Sequence, residues 1–252
     1  MENSWIALPV GIAIASIVSS IGLGGGILWM PFFLILAGLK PENAVVTSFL
    51  IQTAGMGSGT IAYGRQQKVD GRLSGYLLLV AIPGVALGAY VTQWLGPRHM
   101  EVILGLLVMT TAFLFVSSSA KYDDAGSMIA VLNKVHPYAW MVSLMAVASG
   151  LLSVSIGEWL IPLMRSKFGL RMSSAIATSI TVTFGMCIIG TVMHLAFGSK
   201  PCWPVIAWAI PGVIIGGQIG PRITQKINER RLKEIFIFLL TLVGIHLIYN
   251  SF

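Results

Sequence analysis

The sequence predicts an all-α polytopic membrane protein built from two inverted-topology repeats, each a broken or re-entrant helix hairpin plus three transmembrane helices. Three observations predict it. Hydrophobic residues make up 56% of the chain and charged residues 10%, with a mean hydropathy of +0.84, so too little polar surface exists to cover a water-soluble globule. The chain also repeats itself at a fixed offset: Gly26 to Pro31 reads Gly-Ile-Leu-Trp-Met-Pro, and Gly157 to Pro162 reads Gly-Glu-Trp-Leu-Ile-Pro. The same offset pairs Ala44 with Ala175, Thr47-Ser48 with Thr178-Ser179 and Gly59-Thr60 with Gly190-Thr191. After a three-residue slip, Pro83-Gly84-Val85 and Gly88 match Pro211-Gly212-Val213 and Gly216. Lastly, 13 of the 16 basic residues fall in four connections and three in the others, the bias that orients helices in a bilayer.

A helix needs about 20 apolar residues to cross a bilayer. Residues 5 to 39 come first, long enough for two segments and broken by Ser19-Ser20-Ile21-Gly22-Leu23-Gly24-Gly25-Gly26. Spans follow at about 43 to 63, 73 to 95 and 99 to 118. Residues 136 to 164 again hold two segments, broken at Ser149-Gly150 and Ser153-Val154-Ser155-Ile156-Gly157, and spans follow at about 173 to 197, 203 to 220 and 232 to 250. Each broken stretch reads as a hairpin of short or half-length helices entering and leaving on one side. The Met-Glu-Asn-Ser start lacks a basic n-region, so the first apolar stretch is expected to be retained structure.

The basic connections at 65 to 72, 121 to 134, 165 to 171 and 222 to 233 go inside, which puts Lys40, Arg98, Lys200 and both chain ends outside. Three crossings per half is an odd number, so the second half runs upside down relative to the first. The chain then divides into a first membrane repeat at 1–118, an inside linker at 119–135 read as a solvated connector, and a second repeat at 136–252. The net charge of +7 and pI near 9.7 need no nucleic acid, because topology accounts for the basic residues. The expected partners are the bilayer and a small anion, and a homo-oligomer stays open. Cys187 and Cys202 sit in or beside apolar spans without a disulfide or zinc pattern, so neither a metal nor another cofactor is expected.

Irregular backbone at membrane depth survives only when buried or lining a wet cavity. Gly24, Gly25 and Gly26 precede the half-helix from Ile27, and Ser153, Ser155 and Gly157 precede its counterpart. Two helix starts facing each other near the midplane would favour an anion through their free N–H groups and dipoles; close packing of small residues is the alternative. Thr47 and Ser48, with Gln52 one turn on, and Thr178, Ser179 and Thr183 at the matched places supply hydroxyl and amide groups able to replace an oxyanion's hydration. Each hydroxyl could instead bond its own helix carbonyl.

Glu158 is the one acidic residue placed inside a span, opposite Ile27 in the repeat. An ionisable group there suggests function, and proton coupling competes with a solvated or dipole-satisfying carboxylate. His194, matched to Tyr63, reads as an interfacial anchor, as do Trp5, Trp94 and Trp203. Gly22-x-Gly24-Gly25-Gly26 lacks the Gly-Lys-Ser/Thr ending and the glycine spacing of nucleotide loops.

Gly22-Leu-Gly24-Gly25-Gly26 followed by Pro31, Ala44 and Thr47-Ser48, with a weaker second copy, resembles the TauE/SafE family of sulfite exporter-like membrane proteins. The resemblance covers nearly the whole chain. It implies an inner-membrane carrier moving small sulfur-containing anions such as sulfite or organosulfonates, usually outward. The second hairpin departs from the pattern, with Ser153, Ser155 and Glu158 in a region that is often glycine-rich.

The expected activity is therefore anion transport by alternating access rather than catalysis. An anion channel of the same architecture is the nearest rival. A serine hydrolase using Ser149, Ser153 or Ser155 with His194 lacks a nucleophile signature and leaves the repeated breaks unexplained.

Overall fold

The computed structural model describes residues 4–21, 23–117, 126–223, 241 and 245. Gly22, linker residues 119 to 125 and nearly all of the expected span 232 to 250 lie outside the described residues. Secondary structure among the described residues is helical apart from one isolated parallel bridge, Ser127 to Leu170.

A single-turn 3₁₀ segment, Ser4–Ile6, leads into α1 (Ala7–Ile21). Beyond a break that includes Leu23, Gly24 and Gly25, α2 (Gly26–Pro31) continues as a π-helical turn over Phe32–Leu36. Pro31, which has no N–H to give, stands where the helix changes pitch. Pro41 opens α3 (Pro41–Arg65) at the first helical position, with Glu42 in the first turn. Asp70 caps α4 (Gly71–Thr92), its side chain accepting from the Leu73 N–H. Next comes α5 (Pro97–Ser117). The second half begins with α6 (Leu132–Val135), which runs through a 3₁₀ turn at His136–Tyr138 into α7 (Ala139–Leu152). A second break precedes α8 (Gly157–Ser166), α9 (Met172–Ala196) and α10 (Trp203–Ile223).

Among the described residues, four helical stretches are long and apolar enough to cross a membrane: Gly71–Thr92, Leu132–Leu152, Met172–Ala196 and Trp203–Gly220. Two expectations need correction. The first arm of the second hairpin, 132 to 152, is 21 residues and so has full crossing length. Its break also lies wholly at 153 to 156, because Ser149 and Gly150 remain within α7. Outward-facing Leu79, Leu87, Leu106, Phe113 and Leu144 are each more than half exposed, a surface that suits hydrocarbon better than water. Trp5, Trp94 and Trp203 are likewise exposed.

At the centre α3 lies along α9, α10 lies between α1 and α3, and α4 lies between α7 and α9. The outer pairs close on glycine. A side chain at Gly84 would collide with the Ser143 carbonyl and Ala146, and one at Gly216 with the Ile12 carbonyl and Ala15. Gly88 stands in the same way against Val147, and Gly220 against Ser16. In these contacts Gly84 therefore corresponds to Gly216 and not, as the sequence match suggested, to Gly212. Matching by sequence slipped by one helical turn, because glycines spaced four apart look alike along one helix face.

The linker is not wholly solvated. Residues 126 to 131 lie against both halves: Ser127 pairs with Gly169 and Arg171, and the Ala130 N–H donates to Asp70.

Candidate functional site

Both hairpins break beside α3 and α9, and the breaks meet. The second opens where Ser153 enters the left-handed region at φ 57°, its N–H still donating to the Ser149 carbonyl. Gln52 on α3 joins the two. Its Oε1 accepts from the Gly26 N–H at 2.8 Å, and its Nε2 lies 3.0 Å from the Ser153 carbonyl, 2.7 Å from Ser153 Oγ and 3.0 Å from Ser48 Oγ. A backbone donor on one side and a backbone carbonyl on the other fix which way the amide points. Ser153 Oγ also donates to Ser48 Oγ at 3.1 Å.

Across the centre, Ser155 Oγ accepts from the Gly157 N–H at 2.9 Å and shares a hydrogen bond of 3.3 Å with Thr183 Oγ1. Gln52, Ser48, Ser153, Ser155 and Thr183 are all buried. The first N–H of each half-helix is thus met by a side-chain oxygen, and the partners of these groups are neutral.

The family model for the sulfite exporter TauE/SafE matches residues 7–247. The chain belongs to this family. Among the relatives of this TauE/SafE chain is "Probable membrane transporter protein YunE" of Bacillus subtilis (strain 168), 25% identical, with 98% of this chain and 97% of that protein covered. "Probable membrane transporter protein YfcA" of Escherichia coli (strain K12) is 24% identical over 94% of this chain and 87% of its own length. No solved structure matches. Family and relatives point to membrane transport rather than to an enzyme.

The TauE/SafE break has its carbonyl ends satisfied from outside. Tyr63 donates its hydroxyl to the Ser19 carbonyl near the end of α1 at 3.0 Å, and His194 Nε2 lies 2.8 Å from the Gly150 carbonyl near the end of α7. The offset that relates the two copies carries Tyr63 onto His194 and Ser19 onto Gly150. Both rings are buried, so the expected interfacial role is corrected: they tie broken helix ends whose last carbonyls lack an intrahelical donor. The matching offset was the signal available in the sequence.

Not every expected site residue reaches the centre. Thr47 Oγ1 donates to the Asn43 carbonyl and accepts from the Cys202 N–H at 3.0 Å, which places it at the junction of α3 and α10. Thr178 Oγ1 accepts from the Asp70 N–H at 3.1 Å, at the junction of α9 and α4. These threonines hold connections together. Ser179 is buried in α9. Gly25 packs under Trp29, which stacks on Phe33 with ring centres 5.2 Å apart.

Gly24 and Gly26 are required by proximity. A side chain at Gly24 would overlap that of Ser155, and one at Gly26 would run into the Ser153 carbonyl. Glu158, in the first turn of α8, is buried, and neither of its carboxyl oxygens has a hydrogen-bond partner. Asp70, Asn43 and Ser174, which the sequence did not single out, anchor the connections around this core.

Proposed function

We propose that this protein exports small, sulfur-containing anions of the sulfite or organosulfonate class by alternating access, and that the anion binds between the two hairpin breaks. One observation carries the reading: the half-helices starting at Gly26 and Gly157 bring their first N–H groups to one buried cluster of hydroxyl and amide groups. Helix starts favour negative charge, and neutral donors can replace hydration without holding the anion in a permanent ion pair. In this reading, anion oxygens compete with the Gln52 and Ser155 oxygens for the Gly26 and Gly157 N–H groups.

The inverted repeat is supported by paired contacts. Tyr63 with Ser19 and His194 with Gly150 form one pair, and Thr47 with Cys202 and Thr178 with Asp70 form another. In this arrangement the protein sits in the cell (inner) membrane with both termini outside. A potential negative inside drives a monovalent anion outward with about 2.3 kcal/mol per 100 mV. Glu158 stands beside the site as the group for a proton-linked step.

Purified protein in liposomes tests this. Sulfite and sulfonate efflux should saturate, show counterflow and respond to imposed voltage or a pH gradient. Flux indifferent to both gradients would sink the carrier reading, and unitary currents would replace it with the channel.

A further inference from the structure

Among the described residues, hydrogen bonds do not tie the two faces equally. On one, the Lys200 N–H donates to Asn43 Oδ1 at 2.9 Å and the Cys202 N–H to Thr47 Oγ1, joining the start of α3 to the chain entering α10. On the other, the corresponding residues join α9 to the chain entering α4: Ser174 Oγ donates to the Lys68 carbonyl at 2.9 Å, and the Asp70 N–H donates to Thr178 Oγ1. Here a third segment is added. The single Ser174 hydroxyl proton is shared with the Met128 carbonyl at 2.7 Å, Asp70 Oδ2 accepts from the Ala130 N–H at 2.8 Å, and Arg171 Nε donates to the Gly126 carbonyl at 2.9 Å. The Ser127 N–H donates to the Gly169 carbonyl at 2.9 Å, and the Ser127 carbonyl accepts from the Arg171 N–H at 2.8 Å.

We propose that residues 126–131 are a clasp that holds the Lys68 and Arg171 face shut, so that this face opens only when the segment lets go. The idea rests on the alternating-access reading for its purpose but not for its test. Asp70 is the hinge pin. One carboxyl oxygen caps α4 through Leu73 at 3.0 Å and the other holds the clasp, so α4, α9 and the segment share one buried group. Sliding α4 past α9 on this face must therefore break the clasp contacts as a set. Among the described residues, the hydrogen bonds joining α3 to the chain entering α10 on the opposite face involve two side chains and two backbone N–H groups, beside a ring contact of Tyr90 with Phe197. Gly126 makes the attachment possible. Its φ of 129° is a glycine conformation, and a Cβ there would lie 2.8 Å from the Gly169 carbonyl and 3.0 Å from the Leu170 carbonyl carbon.

Native-state hydrogen exchange on the full chain in detergent tests the clasp without a substrate. In the wild type, amides of 127–131 and of the break at 153–157 should open together, with the same urea dependence. Gly126→Ala, which leaves every helix and cap intact, should accelerate both sets about tenfold and leave 200–206 unchanged. Faster exchange confined to 127–131, or independent opening of the two sets in the wild type, would overturn the clasp. Those results would leave anion transport itself untouched.

Discussion

Gly24 and Ser155 occupy the same place in the two copies, and they meet at the centre. There is room for one side chain. A methyl group at Gly24 would overlap the Ser155 side chain, with Ser155 Oγ 2.8 Å away and Gln52 Oε1 at 3.1 Å, whereas a carbon needs about 3.5 Å. Gly24→Ala should thus cost about 2–3 kcal/mol, toward the upper part of the overpacking range because both partners are buried. Ser155→Gly loses the hydrogen bond to the Gly157 N–H, about 1 kcal/mol, and adds a flexible residue worth about 0.5–1 kcal/mol.

If the penalties were independent, the double variant would lose about 4 kcal/mol. The geometry predicts otherwise. With Ser155 reduced to glycine, the methyl group introduced by Gly24→Ala meets only Gln52 Oε1 at 3.1 Å, the flexible end of a side chain that can give by a few tenths of an ångström. The double variant should then cost little more than Ser155→Gly alone, about 2 kcal/mol. Equilibrium unfolding in mixed micelles, followed by tryptophan fluorescence, gives all three values. A double variant within about 0.5 kcal/mol of the sum of the singles would refute the claim that these residues exclude each other.

The neighbouring glycine should behave differently. Gly26→Ala meets the Ser153 backbone carbonyl, so truncating the Ser153 side chain should not rescue it, and its unfolding midpoint should stay depressed in a Ser153→Ala background. Tyr63→Phe and His194→Phe each leave a buried helix-end carbonyl without a donor, and each should cost about 1–3 kcal/mol in the same assay. Glu158→Gln keeps the volume and removes the titrating group: flux in liposomes should lose its pH dependence, and wild-type pH dependence in that variant would remove Glu158 from the mechanism.

Helices and breaks were legible because their signals are local. Hydropathy locates α4, α9 and α10, and glycine or serine runs mark the breaks, although Ser149-Gly150 stays helical. Roles that depend on a neighbour distant in sequence were not legible. Thr47 and Ser48 are adjacent, yet helix geometry turns one toward Cys202 and the other toward Ser153, about 100° apart around the axis. His194 resembled an interfacial residue because its partner, the Gly150 carbonyl, belongs to a backbone group that no residue type announces. The clasp was missed for a similar reason. Ser127 and Ala130 bind through backbone atoms, so a segment with charged residues around it reads as a plain connector.

The centre also explains why the two copies had to diverge. In the proposed inverted repeat, residues near its axis would meet their own counterparts, so a side chain that fits once would collide when duplicated. Gly24 gives way to Ser155 for that reason, and the loss is met on the same half: Gln52 is long enough to reach the Gly26 N–H unaided. Thr183, its counterpart, contacts Ser155, which itself reaches the Gly157 N–H. Glycine with glutamine and serine with threonine are two ways of setting one oxygen on a half-helix start. Replacing Ser155 by glycine alone should therefore leave the Gly157 N–H without its acceptor, and adding Thr183→Gln should return one, whereas a serine at Gly24 lacks space beside Ser155 whatever stands at position 52.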